Sequence, residues 1–234
     1  MNRLNKQPKF NLIEFFSKNQ LKYIKDGRMK LKTAPSEEER LGQEIREVRK
    51  ARGITLKTLS SEVSCSVAYL SRIELGTARI SPELLAEISD ALSVDPDWFF
   101  PVKAGKGELE QRHVVRAENR RSLSGMYTRS VDELGFDDQL LSSSLSGQCY
   151  MIMSHFPPGK GQRPSSQEAY QFDGEQHAIV IKGEVELRLD DEVILLREGD
   201  SFSYPSMIAH RFSNANNDQD AIMIWAMSPP RISW

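Results

Sequence analysis

Residues 53–76 constrain the fold more than any other stretch of this 234-residue chain. Leu59 and Val63 are spaced so that both lie on one face of a short helix. Leu70 and Ile73 form the apolar stripe of a second short helix. Small polar residues separate the two runs. A helix, a turn of about 3–4 residues and a second helix are typical of the helix-turn-helix unit, which the sequence therefore predicts here.

The ends of these helices are marked by residues that satisfy free backbone groups. Thr55 and Ser66 stand before the two runs, and each hydroxyl can accept a hydrogen bond from a first-turn N–H group. Gly53 ends the helix before the pair, and Gly76 ends the second helix, because glycine takes the left-handed conformation freely. The pattern therefore predicts where the helices begin and end.

Further helical segments complete an all-α domain of five helices over residues 37–100. Acidic residues from Glu37 onwards favour a helix start, because they oppose the positive end of the helix dipole. Ser81 followed by Pro82 indicates a second start of this kind. A short last turn ends in three aromatic residues that are expected to cover the core. The predicted core positions outside the central unit are Leu41, Ile45, Val48, Leu84, Leu85, Ile88, Leu92, Trp98, Phe99 and Phe100.

This domain resembles the phage-repressor family of the Xre and Cro type. The resemblance covers about residues 39–100 and rests on the segments IREVRKARGIT, LSRIELG and SPELLAEISDALSVDPDWFF. It implies that the second helix of the unit lies in the DNA major groove, with Thr55, Leu56 and Ser66 near phosphates. The side chains that it places against bases are those of Val67, Ala68, Tyr69 and Arg72.

The resemblance also implies a structural ion pair between Arg49 and Glu74. The chain departs from the family in the turn, where Ser64 replaces the common glycine, so the turn is expected to be strained or adjusted. Among the implied base readers, Arg72 alone can form a forked pair of hydrogen bonds with guanine. A phosphate contact by Arg72 is the alternative.

Charge is distributed unevenly along the chain. The net charge of −2 argues against a protein that coats nucleic acid indiscriminately. Residues 1–36 nevertheless hold nine Lys or Arg and two Asp or Glu, which makes this extension basic. We interpret this extension as a flexible tail. One alternative is a basic arm that tracks a DNA groove. Another is that the native protein starts at Met29. Near the predicted DNA face, basic residues cluster at Arg46, Arg49, Lys50, Arg52 and Lys57.

The two cysteines, Cys65 and Cys149, form no Cys-x-x-Cys pair, so neither a zinc ribbon nor a disulfide scaffold is indicated. No apolar run is long enough to span a membrane or to form the core of a signal peptide. A cytoplasmic protein without a membrane partner is therefore expected.

After a predicted linker at residues 101–108 the periodicity changes, and short apolar runs alternate with turns. This spacing predicts an all-β sandwich or barrel over residues 109–234. The predicted strands are His113–Ala117, Gln148–Phe156, Glu168–Phe172, Ala178–Ile181, Glu184–Leu189, Val193–Leu196, Ser201–Tyr204 and Ala221–Ala226, with a further strand after the proline corner that follows Tyr204.

Residues 147–228 resemble the cupin family, whose fold is a double-stranded β-helix, or jelly roll. The carrying segments are IVIKGEVELRL and REGDSFSYPSMIAHRFSN, in which Gly183, Gly199, Pro205, His210 and Asn214 stand at the family's positions. The region 109–146 is expected to add leading strands.

Of the four metal ligands usual in cupins, only the one at His210 is present. Tyr170 and Phe172 stand at the two histidine positions, and Gln176 stands at the carboxylate position. A catalytic divalent metal normally needs about three protein ligands, so no metal or other cofactor is expected. These four residues are instead predicted to line a pocket for a small organic effector, with simple filling of the barrel as the alternative.

The combined prediction is a transcriptional regulator that binds a double-stranded DNA operator and responds to a small-molecule effector. A homodimer is expected, because paired recognition helices reach paired half-sites, and the effector is expected to change their spacing. The main alternative is a metal-dependent oxidase or epoxidase that carries a helix-turn-helix domain. An adaptor that uses both domains for protein contacts is a third possibility.

Overall fold

The structure is a computed structural model of the whole chain. It describes residues 35–100, 107–127, 130–159, 174–190, 192–205, 207–230 and 232. The basic extension, most of the predicted linker and the predicted strand Glu168–Phe172 therefore lie outside the described residues.

The N-terminal part of the described chain is helical, as predicted. Its first four helices are amphipathic, and their apolar faces meet in one core. A single 3₁₀ turn, Pro96–Phe99, follows them. The helices are α1 (Glu37–Ala51), α2 (Leu56–Glu62), α3 (Val67–Glu74) and α4 (Pro82–Leu92).

The predicted caps are confirmed. The hydroxyl oxygens of Thr55, Ser66 and Ser81 accept hydrogen bonds from first-turn N–H groups of α2, α3 and α4. Gly53 and Gly76 have φ values of 68° and 70°, a conformation that would strain a residue with a side chain.

Two further details of the helical part concern Ser64 and Phe100. Ser64 does not adopt a positive φ, and the Cys65 N–H group donates to the Val63 carbonyl oxygen at 2.8 Å. Of the two expected alternatives, the turn is therefore adjusted rather than strained. Phe100 lies outside the core with 58% of its surface exposed, because the 3₁₀ turn ends at Phe99 and turns the chain outwards.

The C-terminal part consists of strands arranged in two antiparallel sheets, as the predicted all-β fold requires. One sheet has the strand order β1-β2-β3-β9-β4-β7, and the other has the order β6-β5-β8. The strands are β1 (Arg121–Ser122), β2 (Asp137–Leu140), β3 (Tyr150–Phe156), β4 (Glu175–Lys182), β5 (Glu184–Leu189), β6 (Glu192–Arg197), β7 (Ser201–Pro205), β8 (His210–Asn214) and β9 (Ala221–Ser228).

From β3 onwards, the predicted strands that fall on described residues are confirmed, and alternation of buried and exposed positions explains the longest of them, β3, β4 and β9. Every second residue of β9 is buried, and β3 and β4 show nearly the same pattern. The predicted strand His113–Ala117 is wrong. Short helix α5 (Glu108–His113) ends there, and Val114 is exposed rather than packed. In its described part, the leading region adds the short strands β1 and β2 and the one-turn helix α6 (Val131–Leu134).

Helix α1 joins the helical part to the β part through buried polar contacts. The Glu47 carboxylate accepts hydrogen bonds from the Leu145 backbone N–H at 2.8 Å and from the Ser144 hydroxyl at 2.9 Å. One turn earlier, Glu44 forms a 2.7 Å ion pair with Arg121, whose guanidinium also stacks on the Trp98 ring. The two domains are therefore docked side by side along α1.

The C-terminal end of α1 continues this interface. The Arg52 guanidinium donates to the Met126 carbonyl oxygen, and the Ile232 N–H donates to the Ala51 carbonyl oxygen at 2.8 Å. Arg52 therefore contacts the β part, and Arg49 is buried in the helical core. Of the basic residues predicted to cluster near DNA, Lys50 and Lys57 remain exposed.

Replacing Glu47 by alanine is expected to weaken this interface. Glu47→Ala leaves the buried Leu145 N–H without its acceptor, which costs roughly 1–3 kcal/mol of the free energy of unfolding. Urea denaturation measures the loss. The control Glu62→Ala removes an exposed carboxylate from another helix and should change the free energy of unfolding by less than about 0.5 kcal/mol. Equal stability of the two variants would contradict the role given to Glu47.

Candidate functional site

Helix α3 presents a short exposed surface at its N-terminal end. Ser66, Val67 and Ala68 are exposed there, and Arg72 is exposed one turn further on. Tyr69 is half-buried. The family resemblance implies that these five residues contact DNA, and the structure brings them together at one helix.

The side chains of Tyr69 and Arg72 contact each other. The Arg72 guanidinium carbon lies 5.3 Å from the centroid of the Tyr69 ring, within cation–π range. The Tyr69 hydroxyl donates a 2.8 Å hydrogen bond to the Arg79 carbonyl oxygen. The Tyr69 ring is therefore fixed by the Arg72 contact at its face and by the hydrogen bond at its hydroxyl group. Its contact with Arg72 in turn orients that exposed side chain.

The buried side of α3 is fixed to α1 by an ion pair. Arg49 Nε lies 2.5 Å from Glu74 Oε1, and Arg49 Nη2 lies 2.8 Å from Glu74 Oε2, so the pair is bidentate. Arg49 also donates to the Ile54 carbonyl oxygen at 2.8 Å, which ties in the start of the helix-turn-helix unit. At Gly42 of α1, an added Cβ would stand 2.1 Å from the Ile73 carbonyl oxygen, so the two helices approach as closely as glycine allows.

The residues expected near phosphates surround the start of α2 and α3. Thr55 is exposed, Leu56 is half-buried, and Ser66 uses its hydroxyl as the cap of α3. The turn between the helices is fixed from outside by Glu87 of α4, which accepts a hydrogen bond from the Ser64 N–H at 2.5 Å.

The β part contains a cavity of about 40 Å³ between its two sheets. This volume exceeds the roughly 10–15 Å³ that one water requires, and it is far below the roughly 300 Å³ of a drug-sized pocket. Its polar lining residues are Asp138, Ser154, Gln176 and His210. Its apolar lining residues are Phe136, Ile152, Phe156, Phe212, Trp225 and Met227.

Gln176 and His210 meet in this cavity. Their Nε2 atoms are 3.2 Å apart, and His210 Nδ1 lies 2.7 Å from the Ile208 carbonyl oxygen. Nδ1 therefore carries the proton and donates to that carbonyl, while Nε2 accepts from the Gln176 amide. Burial lowers the pKa of His210, because the charged imidazolium is poorly solvated there, so the ring is neutral at neutral pH.

Asp138 is the buried carboxyl group of the cavity. Its two oxygen atoms accept hydrogen bonds from the Ser154 and Tyr127 hydroxyls, and Ser154 in turn accepts a 2.9 Å hydrogen bond from the Trp225 indole N–H. Burial raises the pKa of Asp138 to about 6, against the lowering effect of the two hydroxyl donors. The side chain is therefore mostly ionised at neutral pH.

The predicted effector residues are only partly located. Gln176 and His210 line the cavity together, whereas Tyr170 and Phe172 lie outside the described residues. Sequence reasoning missed Asp138 and Ser154. A signal existed, because each is a polar residue at an inward-facing position of a strand that otherwise buries apolar side chains.

The cupin fold implies a metal, but the described cavity residues do not fit one. His210 Nε2 is engaged by the Gln176 amide, and a neutral amide is a weak ligand for a transition metal. His177, the nearest other histidine in sequence, is exposed on the outer face of β4 beside Glu175. Among the residues that the structure describes, no three His, Cys, Asp or Glu side chains are grouped to hold a metal ion.

Comparison with known families agrees with both halves of the fold. Residues 45–99 match the family model for a helix-turn-helix, and residues 152–227 match that for a cupin domain. The chain therefore belongs to the proteins that join a helix-turn-helix domain of the Xre type to a cupin domain. This domain pair supports a DNA-binding regulator. No curated protein sequence matches the chain.

Solved structures resemble the chain at low sequence identity. An HTH_3 family transcriptional regulator from Vibrio cholerae has 16% identity and a TM-score of 0.38, with 83% of this chain and 97% of that chain covered. Hydroxypropylphosphonic acid epoxidase from S. wedmorenis has 15% identity and a TM-score of 0.39, with coverage of 81% and 97%. KdgF from Halomonas sp. has 22% identity and a TM-score of 0.35, with coverage of 42% and 82%.

Within the part of the chain that the structure describes, none of the helices is both long and apolar enough to cross a bilayer.

The raised pKa of Asp138 predicts a pH-dependent effect on stability. The folded protein holds this proton more tightly than the unfolded chain, so the stability gained is present below about pH 4 and is lost as the pH rises through about 6. Relative to Asp138→Asn, the wild type should therefore gain about 1 kcal/mol in free energy of unfolding between pH 7.5 and pH 5.

Urea denaturation of both proteins across this pH range measures the difference. Asp137→Asn is the control, because it removes a carboxylate from the adjacent, half-exposed position of the same strand. Asp137→Asn should keep the pH dependence of the wild type, whereas Asp138→Asn should lose it. An equal loss in the two variants would contradict the assignment to the buried group.

Proposed function

We propose that this protein is a sequence-specific, operator-binding transcriptional regulator, in which occupancy of the cupin cavity by a small molecule changes DNA binding. Helix α3 is the recognition helix and enters the major groove with its N-terminal end first. Val67, Ala68, Tyr69 and Arg72 face the bases, whereas Thr55, Leu56 and Ser66 face phosphates.

The observation that carries this proposal is the contrast between the two sides of α3. Its inner side is fixed by the bidentate Arg49–Glu74 pair. Its outer side leaves the apolar residues Val67 and Ala68 exposed beside the charged Arg72. A rigid helix with a free N-terminal end is the geometry that reading of base edges requires.

The α1 interface supports a path from the cavity to the recognition helix. Helix α1 holds α3 through Arg49 and contacts the β part through Glu44, Glu47 and Arg52. A change in the β part therefore shifts the recognition helix with it. For a ligand to regulate DNA binding, it must favour one of two such arrangements.

DNA binding is tested by nuclease protection on the DNA around the gene, at near-physiological salt with excess non-specific competitor. A protected site with two-fold symmetry supports the proposal. Binding that remains unplaced and disappears with added salt would contradict sequence reading, because it would reflect phosphate contacts alone.

Arg72 is expected to contribute directly to operator affinity. Arg72→Ala should weaken binding to the protected site by roughly tenfold or more, which corresponds to the loss of one good contact of a guanidinium with a base. Arg79→Ala is the matched control, because this side chain is 91% exposed and belongs to the loop after α3. Gel-shift titration of the three proteins gives the affinities, and equal affinity of Arg72→Ala and wild type would contradict a reading role.

A homodimer completes this proposal, with strand β6 as its interface. β6 is an edge strand, and its Val193, Ile194 and Leu195 side chains are 53%, 37% and 42% exposed. An edge strand with apolar residues on both faces readily pairs with another strand. Two copies of one strand pair antiparallel about a two-fold axis, which also suits an operator with two-fold symmetry.

The substitution Leu195→Lys is expected to separate the dimer, because it places a charge in the apolar strand pair. The dissociation constant measured by sedimentation equilibrium should rise by roughly tenfold or more. Leu109→Lys makes the same change at a residue that is 61% exposed on α5, and should leave the constant unchanged. A Leu195→Lys protein that remains as dimeric as wild type would rule out this interface.

A further inference from the structure

We propose that the effector of the cupin cavity is a small organic amine, bound in its protonated form with the ammonium group against Asp138 and the aromatic walls. This inference rests on the proposed function, because it names the chemical class of the effector. It comes from four properties of the cavity: its buried carboxylate, its aromatic lining, its neutral histidine and its size.

No described residue supplies a counter-charge to the buried carboxylate. Asp138 is 3% exposed, and its oxygen atoms are met by two neutral hydroxyl groups. In the described part of the chain no Lys, Arg or His forms an ion pair with Asp138. A buried charge is costly unless it is paired, so a cationic ligand would supply the missing partner.

The walls of the cavity favour the same sign of charge. Phe136 and Phe156 have ring centroids 5.5 Å apart, and Phe212 and Trp225 have ring centroids 4.7 Å apart. Aromatic faces attract cations through their quadrupole, most strongly where water is excluded. An ammonium group bound here would be held by both a carboxylate and aromatic rings.

The remaining polar groups bring no positive charge. His210 is neutral, because its Nδ1 proton is donated to the Ile208 carbonyl and its Nε2 accepts from the Gln176 amide N–H. The acceptors that a ligand would meet are therefore the Asp138 carboxylate and the Gln176 amide oxygen. None of the described residues that line the cavity is a lysine or an arginine. An alkylammonium brings three N–H donors to these acceptors, whereas a carboxylate or phosphate would meet the Asp138 charge without a cation to offset it.

The volume of the cavity limits the size of the ligand that can enter it. A volume of about 40 Å³ admits a head group of a few heavy atoms. The ammonium end of a short amine fits this space, and a longer chain would extend from it past the described walls. The class of ligand is therefore a primary amine of low molecular weight, with one protonated end inside the cavity.

The test uses the full-length protein and three probes of nearly equal shape. These probes are n-propylammonium chloride, 1-propanol and sodium propionate at constant ionic strength. Isothermal titration measures their binding, and tryptophan fluorescence reports it independently, because Trp225 is part of the cavity wall. We expect n-propylammonium to bind with a roughly millimolar dissociation constant, because a ligand of so few atoms has limited affinity. The other two probes should bind more weakly.

Two variants assign the binding to the carboxylate. Asp138→Asn keeps the shape of the side chain and should weaken n-propylammonium binding by roughly tenfold or more. Asp137→Asn, on the opposite face of β2, should stay within about twofold of wild type. Wild-type affinity for the amine should also fall as the pH drops below about 6, where Asp138 takes up a proton, whereas the affinity for 1-propanol should not.

Three results would overturn the assignment: tighter binding of propionate or propanol than of the amine, unchanged binding by Asp138→Asn, or no binding of any probe. Operator protection is measured on the same samples. Intact protection without amine binding refutes the amine class and leaves the regulator standing. Amine binding without any protected operator supports the ligand class and refutes the regulator.

Discussion

The Glu47 carboxylate is the contact on which the arrangement of the two domains depends. It lies on a helix of the DNA-binding domain, but its hydrogen-bond donors, Ser144 and Leu145, belong to the β part. A buried carboxylate and a buried backbone N–H group both lose their hydrogen bonds to water when the domains dock. They can form a hydrogen bond with each other only at one relative position of the two domains. The Glu44–Arg121 ion pair, one turn away on the same helix, fixes the relative position of the two domains in the same way. Polar contacts of this kind fix geometry more strictly than an apolar interface, which tolerates sliding.

Helix α1 therefore contributes both to the helical core and to the polar interface with the β part. Its buried apolar residues, Ile45 and Val48, pack in the helical core, and its Arg49 holds the recognition helix through Glu74. The same helix carries the acidic and basic side chains that contact the β part. The carboxyl group of the cupin cavity, Asp138, lies on β2, close in sequence to the loop that contacts Glu47. The two candidate sites are therefore linked through a few short segments rather than through a flexible connector.

The helical domain could be predicted almost completely from sequence, because its signals are local. Caps at Thr55 and Ser66, glycines at helix ends and apolar periodicity all act within one helical turn. Phe100 was misplaced because apolar character alone does not say where a short turn ends. Most strands from β3 onwards followed from alternation, whereas His113–Ala117 was misread because a brief apolar run carries no period. Asp138 escaped prediction because its role depends on Tyr127, Ser154 and Trp225, which the fold brings together from three segments.

If the protein binds DNA as the proposed dimer, the docking along α1 limits which operators it can recognise. When each recognition helix is fixed to its own β part, the distance and the rotation between the two helices are set by the dimer interface. Each base pair inserted between half-sites turns one half-site by about 34–36° around the DNA axis, since the double helix repeats every 10–10.5 base pairs. In such a protein the recognition helices cannot rotate relative to each other to follow that change in the DNA. The helical phase of the operator is then part of the recognised signal, alongside the bases themselves.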